Sequence, residues 1–171
     1  MDNRLKIYEV GPRDGLQNEA TILDAGQKHR LIEGLVAAGL RHIEITSFVH
    51  PQAVPQLADA DGVMAAACEA YAASGIELTG LVFNERGYER AIASGCRSMA
   101  FGAAVSETFS RRNTHNTPRE ALDTARRLVD RAQGDGVRTR FYVMTAWICP
   151  FEGPISPHQT LAVVQEIADW G

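Results

Sequence analysis

The chain has 171 residues, 45% hydrophobic and 22% charged, with a formal net charge of −4. That composition buries one sizeable core and carries no basic excess of the kind a nucleic-acid or anionic-membrane surface needs, so no nucleic acid and no membrane is expected as a partner. The opening residues contain no apolar stretch of signal-peptide length, and the longest purely apolar run, Val63 to Cys68, is far too short for a bilayer span.

In chain order, Leu5 to Val10 reads as a first strand. A helix follows between Asp24 and Leu40, with Leu31, Leu35 and Val36 at helical spacing. β-rich runs occupy Arg41 to Ser47, Glu77 to Phe83, Arg97 to Gly102 and Arg138 to Met144. Thr117 is placed as an N-cap before Pro118, and Leu122, Ala125, Leu128, Val129 and Ala132 form the apolar stripe of the helix they open. Ser156-Pro157 opens the last helix, with Leu161, Val164, Ile167 and Ala168 as its apolar face. Gly39, Gly75, Gly95, Gly136 and Gly171 each close a helix-like stretch, as a residue able to take positive φ does. Strict βα alternation requires crossovers and implies a parallel sheet with helices outside it. Five βα units are too few to close an eight-stranded barrel of ~250 residues. The pattern therefore fits either a small open α/β sheet or the first five units of a barrel.

Functional side chains in such folds collect at the C-terminal ends of the strands. The first such end reads Tyr8-Glu-Val-Gly-Pro-Arg-Asp-Gly-Leu-Gln-Asn-Glu19 and is not a phosphate loop, having no G-x-G-x-x-G and no Gly-Lys-Ser/Thr. Arg13 and Asp14 stand side by side, followed by Gly15 and Gln17. Aspartate is a hard oxygen ligand suited to Mg²⁺ or Mn²⁺, and an adjacent arginine can hold an oxygen that gains negative charge. A salt-bridged turn uses the same two residues, and spacing alone leaves both readings open.

In His42-Ile-Glu-Ile-Thr46 the period of two sends Ile43 and Ile45 toward the helices and Glu44 toward the interior. On the fifth strand Arg138, Arg140, Tyr142 and Met144 share a face, which makes Arg140 a partner of the right charge for Glu44. Such a pair either fixes packing or sets a general acid/base near a substrate. Arg111, Arg112 and Glu107 fit either a phosphate-bearing ligand or a solvated surface, and His50 is a loop residue. Cys68, Cys96 and Cys149 show no C-x-x-C spacing and predict reduced thiols in a cytoplasmic protein, with Cys149-Pro read as packing.

These residues also carry a resemblance. Val10-Gly-Pro-Arg-Asp-Gly-Leu-Gln-Asn-Glu19 resembles the opening signature of the 3-hydroxy-3-methylglutaryl-CoA (HMG-CoA) lyase family, in the metallolyase branch of the TIM barrels. The likeness continues through Ile43-Glu44, Ser47-Phe-Val49, Val54-Pro-Gln56, Ser106-Glu-Thr-Phe-Ser-Arg-Arg-Asn113, Arg140 with Tyr142, and Cys149-Pro-Phe-Glu-Gly153 followed by Ile155-Ser-Pro157. It implies that residues 1–171 form part of a parallel (β/α) TIM-type barrel, the first five βα units of eight. It further implies a divalent-metal-dependent carbon–carbon lyase that cleaves HMG-CoA to acetyl-CoA and acetoacetate. Under it Asp14 is a metal ligand for Mg²⁺ or Mn²⁺, Arg13 steadies the enolate oxygen, and Glu44 takes part in proton transfer. Gln17 and Arg140 join Arg13 in substrate binding, and the partners are an acyl-CoA substrate and, at full length, a second copy in a dimer. The remaining metal ligands are expected beyond Gly171, because His29, His42, His50, His115 and His158 include no His-x-His pair. The 171 residues alone are accordingly expected to be inactive. Val82-Phe83-Asn84 and Trp147-Ile148 depart from the family's usual Thr-Pro-Asn and Leu-Gly, which extends the expected substrate to a related 3-hydroxyacyl-CoA. Two alternatives are a Claisen-type synthase of the same superfamily, against which Leu16 and Asn18-Glu19 stand, and a catalytically silent barrel fragment.

Overall fold

A computed structural model describes residues 5–170. It contains a sheet of order β1-β2-β3-β4-β5, built from Tyr8–Glu9, His42–Ser47, Glu77–Leu81, Ser98–Ala104 and Arg138–Met144. Sheet neighbours are sequence neighbours, as consecutive βα units of an incomplete TIM-type barrel require. Six α-helices lie among the described residues: α1 Ala25–Ala37, α2 Ala60–Ala70, α3 Glu85–Ala93, α4 Glu107–Thr114, α5 Pro118–Gly134 and α6 Pro157–Ala168. None of them is long and apolar enough to cross a membrane. The chain divides into two compact units, Met1–Val82 with Arg86–Met99, and Phe83–Glu85 with Ala100–Gly171.

In the first unit β1, β2 and β3 run parallel. β1 is shorter than the Leu5–Val10 expectation, and Leu5 and Ile7 are exposed. Only Tyr8 and Glu9 find ladder partners, in His42 and Ile43, before Val10 enters a turn. α1 starts where its chemistry says it should: Asp24 and Gln27 form a reciprocal capping box. The helix-ending glycines 39 and 75 take positive φ, as does Gly95. Gly136 in the other unit does the same, while Gly171 lies outside the described residues.

β2 departs from the expected simple alternation. Glu44 pairs with Thr79 and Thr46 with Gly80, so Ile45 is an extra residue bulged out of the ladder. Every residue from Ile43 to Phe48 is buried, so this strand has no solvent face. Phe48, immediately after β2, lies over Gly80 of β3, where an added Cβ would come 2.6 Å from Phe48 Cε2 and 3.2 Å from Met64 Cε. Gly80→Ala is therefore expected to overpack the core and cost about 1–3 kcal/mol, read as a lowered Tm in thermal melts. An unchanged Tm would mean the Phe48 ring yields freely.

One buried charge anchors the segment after β2 to α1, and Gln56 carries that anchorage on to the loop before α1. Lys28, on α1, is 3% exposed; its ammonium donates to Gln56 O at 2.6 Å and pairs with Asp59. Gln56 Nε2 in turn donates to Glu19 O at 2.9 Å.

In the second unit Thr117 and Glu120 form the capping box of α5, and the predicted stripe of Leu122, Ala125, Leu128, Val129 and Ala132 is buried. Two elements were not foreseen. One is α4; the other is a hairpin, β6 Ile148–Cys149 and β7 Gly153–Pro154, paired antiparallel. α6 forms as expected, but Leu161 and Val164 of its anticipated apolar face are 55% and 42% exposed. Its firmest attachment is instead polar, Thr160 Oγ1 donating to Ala146 O, with Trp170 just beyond edge-on to Phe141 at 5.6 Å.

Candidate active site

The candidate site of the first unit is built on one unusual turn. Directly after β1, Gly11–Gly15 forms a single π-type turn, closed by Leu16 N donating to Gly11 O. Asp14 N donates to Val10 O at 2.7 Å, and Gly11 N is held by Glu9 Oε1 at 2.6 Å. Pro12 sits at the start of the turn, where its missing N–H costs no hydrogen bond. The turn buries Arg13 while leaving Asp14 exposed, so the two adjacent side chains have opposite surroundings.

Arg13 is 8% exposed, and its Nε donates to Glu44 Oε1. Glu44 is fully buried, on the residue preceding the β2 bulge. A buried carboxylate is tolerated only when paired, and this guanidinium supplies a partner. Arg13 Nη1 also reaches Asp14 Oδ1 at 2.7 Å, so one guanidinium spans a buried and an exposed carboxylate. Gln17 Nε2 donates to the same Oδ1 at 3.0 Å, and Asn18 Nδ2 donates to Asp14 O at 2.7 Å. Arg13, Asp14, Gln17 and Glu44 are thus brought together.

Asp14 offers a hard oxygen to a cation. Its side chain is 52% exposed, Oδ1 takes both donors, and no described residue donates to Oδ2. That chemistry suits one coordination position of a divalent cation such as Mg²⁺ or Mn²⁺. Among the described residues no group of three His, Cys, Asp or Glu side chains converges on a metal position.

Arg140 lies in the second unit, on β5, where its Nη2 donates to Tyr142 Oη at 2.7 Å and its guanidinium stands 5.0 Å from the Tyr142 ring centre. Of the remaining sequence candidates in that unit, Arg111 pairs with Glu107 at 2.6 Å and Arg112 stacks over Phe151 at 4.2 Å. Cys68, Cys96 and Cys149 are free thiols. Burial pushes the Cys96 thiol up to about 11. Burial acts on Cys149 in the same sense, but donation by the Ser106 hydroxyl and by the Phe151 and Glu152 amides outweighs it and holds that thiol below its ordinary value. Reading Cys149 as packing alone missed this polar cradle. Glu9 and Asn18, which clamp the π turn from either side, were also missed; an Asn four residues after an Asp was the available signal for the second.

Residues 4–171 match the HMGL-like family model. The mitochondrial HMG-CoA lyase of Arabidopsis thaliana is 42% identical over 167 residues, 98% of this chain and 35% of that protein. A Pseudomonas aeruginosa protein named 3-hydroxy-3-isohexenylglutaryl-CoA/hydroxy-methylglutaryl-CoA lyase is 36% identical over 171 residues, all of this chain and 56% of that one. The crystal structure of a Bacillus subtilis HMG-CoA lyase matches with a TM-score of 0.93 at 34% identity, covering 98% of this chain and 55% of the other. The chain spans from about a third to just over half the length of these relatives. The match runs the length of the described fold, including the π turn and β2, and on that ground the chain belongs to the HMGL-like family.

Proposed function

We propose that this chain carries part of the catalytic apparatus of a divalent-metal-dependent carbon–carbon lyase acting on HMG-CoA or a related 3-hydroxyacyl-CoA. The observation that carries the reading is Arg13, buried and braced by Glu44, beside the half-exposed carboxylate of Asp14. An arginine held this way is preorganised to receive charge, since its orientation is fixed before substrate arrives.

The reaction removes the proton of the C3 hydroxyl and breaks the C2–C3 bond. The bonding pair moves onto the thioester carbonyl as an enolate, which takes a proton at C2 to give acetyl-CoA. C3 leaves as the ketone carbon of acetoacetate. Arg13 meets the enolate oxygen as its charge grows. Glu44 orients Arg13 and, as the resemblance implies, takes part in proton transfer at the substrate. Gln17 steadies the Asp14 carboxylate, and Arg140 binds an anionic substrate oxygen. A divalent cation held by Asp14 would supply Lewis acidity toward the substrate's hydroxyl and carboxylate oxygens. The acyl-CoA specificity rests on the names of the relatives, each an HMG-CoA lyase.

Incubating the full-length protein, with its remaining metal ligands, with HMG-CoA and Mn²⁺ is expected to yield acetoacetate and acetyl-CoA in equal amounts, abolished by a chelator and restored by excess cation, whereas residues 1–171 alone are expected to yield neither. Folded, cation-supplied full-length protein that produces neither product sinks the lyase reading. Consumption of acetyl-CoA with a 2-oxo acid would instead identify a synthase.

A further inference from the structure

The second unit holds an aromatic side chain that the mechanism above does not use. Arg140 and Tyr142 share one face of β5, as their hydrogen bond requires. Gly102, on the neighbouring strand β4, presents the same face, because a Cβ built on it would lie 3.4 Å from Tyr142 Cβ. That same point is 3.3 Å from Phe83 Cε1. The edge of the Phe83 ring, delivered from the segment just after β3, therefore occupies the space a side chain at 102 would fill. Gly102 is buried, whereas Phe83, Arg140 and Tyr142 are each half-buried. A half-buried aromatic ring, one edge of it set at Gly102, thus stands on the same face as a guanidinium and a phenol.

This combination suits a particular ligand chemistry. The guanidinium takes a carboxylate or carbonyl oxygen, and an apolar ring close by meets carbon a bond or two away. The ring rests on bare backbone at Gly102 and cannot sink further to admit a larger group. We propose that Phe83 is a specificity-determining residue, whose ring edge is the wall that limits the alkyl branch at C3 of the 3-hydroxyacyl thioester bound through Arg140. The inference rests on the lyase reading given under Proposed function. With Phe83 in place a methyl branch fits and a longer one meets the ring. Removing the ring opens the space above Gly102 to the longer branch.

The test compares the full-length protein with its Phe83→Ala and Phe83→Leu variants, the second as the milder, with folding checked by circular dichroism. Cleavage is measured on the CoA thioesters of 3-hydroxy-3-methylglutarate and 3-butyl-3-hydroxyglutarate. Binding is measured on the 3-methylglutaryl and 3-butylglutaryl thioesters, which lack the 3-hydroxyl and cannot undergo the cleavage. Phe83→Ala is expected to raise the butyl-to-methyl ratio of kcat/KM by about tenfold or more, the scale of a methylene-sized change in an apolar pocket, with Phe83→Leu intermediate. Binding ratios are expected to move in the same direction. Ratios unmoved in both assays, with HMG-CoA still cleaved, overturn the wall and leave the lyase reading standing. Binding ratios that shift in a protein that cleaves nothing overturn the lyase reading and leave the wall standing. No shift and no cleavage overturns both.

Discussion

Arg13→Met in the full-length enzyme is expected to lower kcat by about 10²–10³-fold with a much smaller change in KM, the signature of losing a contact made mainly in the transition state. Methionine matches much of the arginine stem but offers no donor to the enolate oxygen. A steady-state assay on HMG-CoA measures the split, and a pure KM effect would assign Arg13 to ground-state binding. The structure adds a second consequence. Because Glu44 is fully buried and accepts from Arg13 Nε, the substitution takes a charged donor away from a carboxylate in the core. Breaking a buried pair in this way costs about 3–5 kcal/mol. Arg13→Met is thus expected to melt well below the parent protein. Arg13→Met/Glu44→Gln neutralises that carboxylate and is expected to recover part of the lost stability while staying at least as slow as the Arg13→Met single variant. Glu44→Gln alone measures the loss due to Glu44's own role, and a double variant slower than that single variant assigns the remainder to Arg13, which a purely structural Arg13 could not produce.

The second large effect is at Asp14. Asp14→Asn keeps the shape of the side chain but replaces an anionic oxygen ligand by a neutral amide, a poorer donor to Mg²⁺ or Mn²⁺. Cation affinity is expected to fall by more than about tenfold, the lower end of what losing even an indirect metal contact costs. Calorimetric titration with Mn²⁺ reads this without substrate. Asp14 is exposed and contributes nothing to the core, so its Tm is expected to stay close to that of the parent protein. Undiminished Mn²⁺ affinity would remove Asp14 from the cation site.

Local chemistry made much of the fold legible. Asp24 and Thr117 are helix starts because their side chains can satisfy N–H groups three residues on, and both capping boxes form. Gly39 and Gly136 end helices because positive φ is cheap there, and both take it. What failed were inferences that needed neighbours distant in sequence. The alternation in β2 predicted an interior Glu44 correctly, yet a period of two presumes an unbroken ladder, and the bulge at Ile45 depends on how Thr79 and Gly80 of another strand align. Arg13 and Glu44 are 31 positions apart, and no local pattern links them. The hairpin after β5 escaped notice because its strands are only two residues long, too short for any periodicity. Leu161 and Val164 mark the opposite failure: helical spacing identified an apolar face correctly but could not say what covers it.

The link from Lys28 through Gln56 to Glu19 bears on motion. Gln56 belongs to the loop after β2 and Glu19 to the loop after the π turn, while Lys28 is rooted in the well-capped helix α1. Neither loop can swing away alone without giving up a hydrogen bond to the other. The two segments behind Arg13 and Glu44 therefore open as one cooperative unit rather than as two independent flaps. Lys28, which touches neither Arg13 nor Glu44, anchors that unit to α1 through Gln56 O and Asp59.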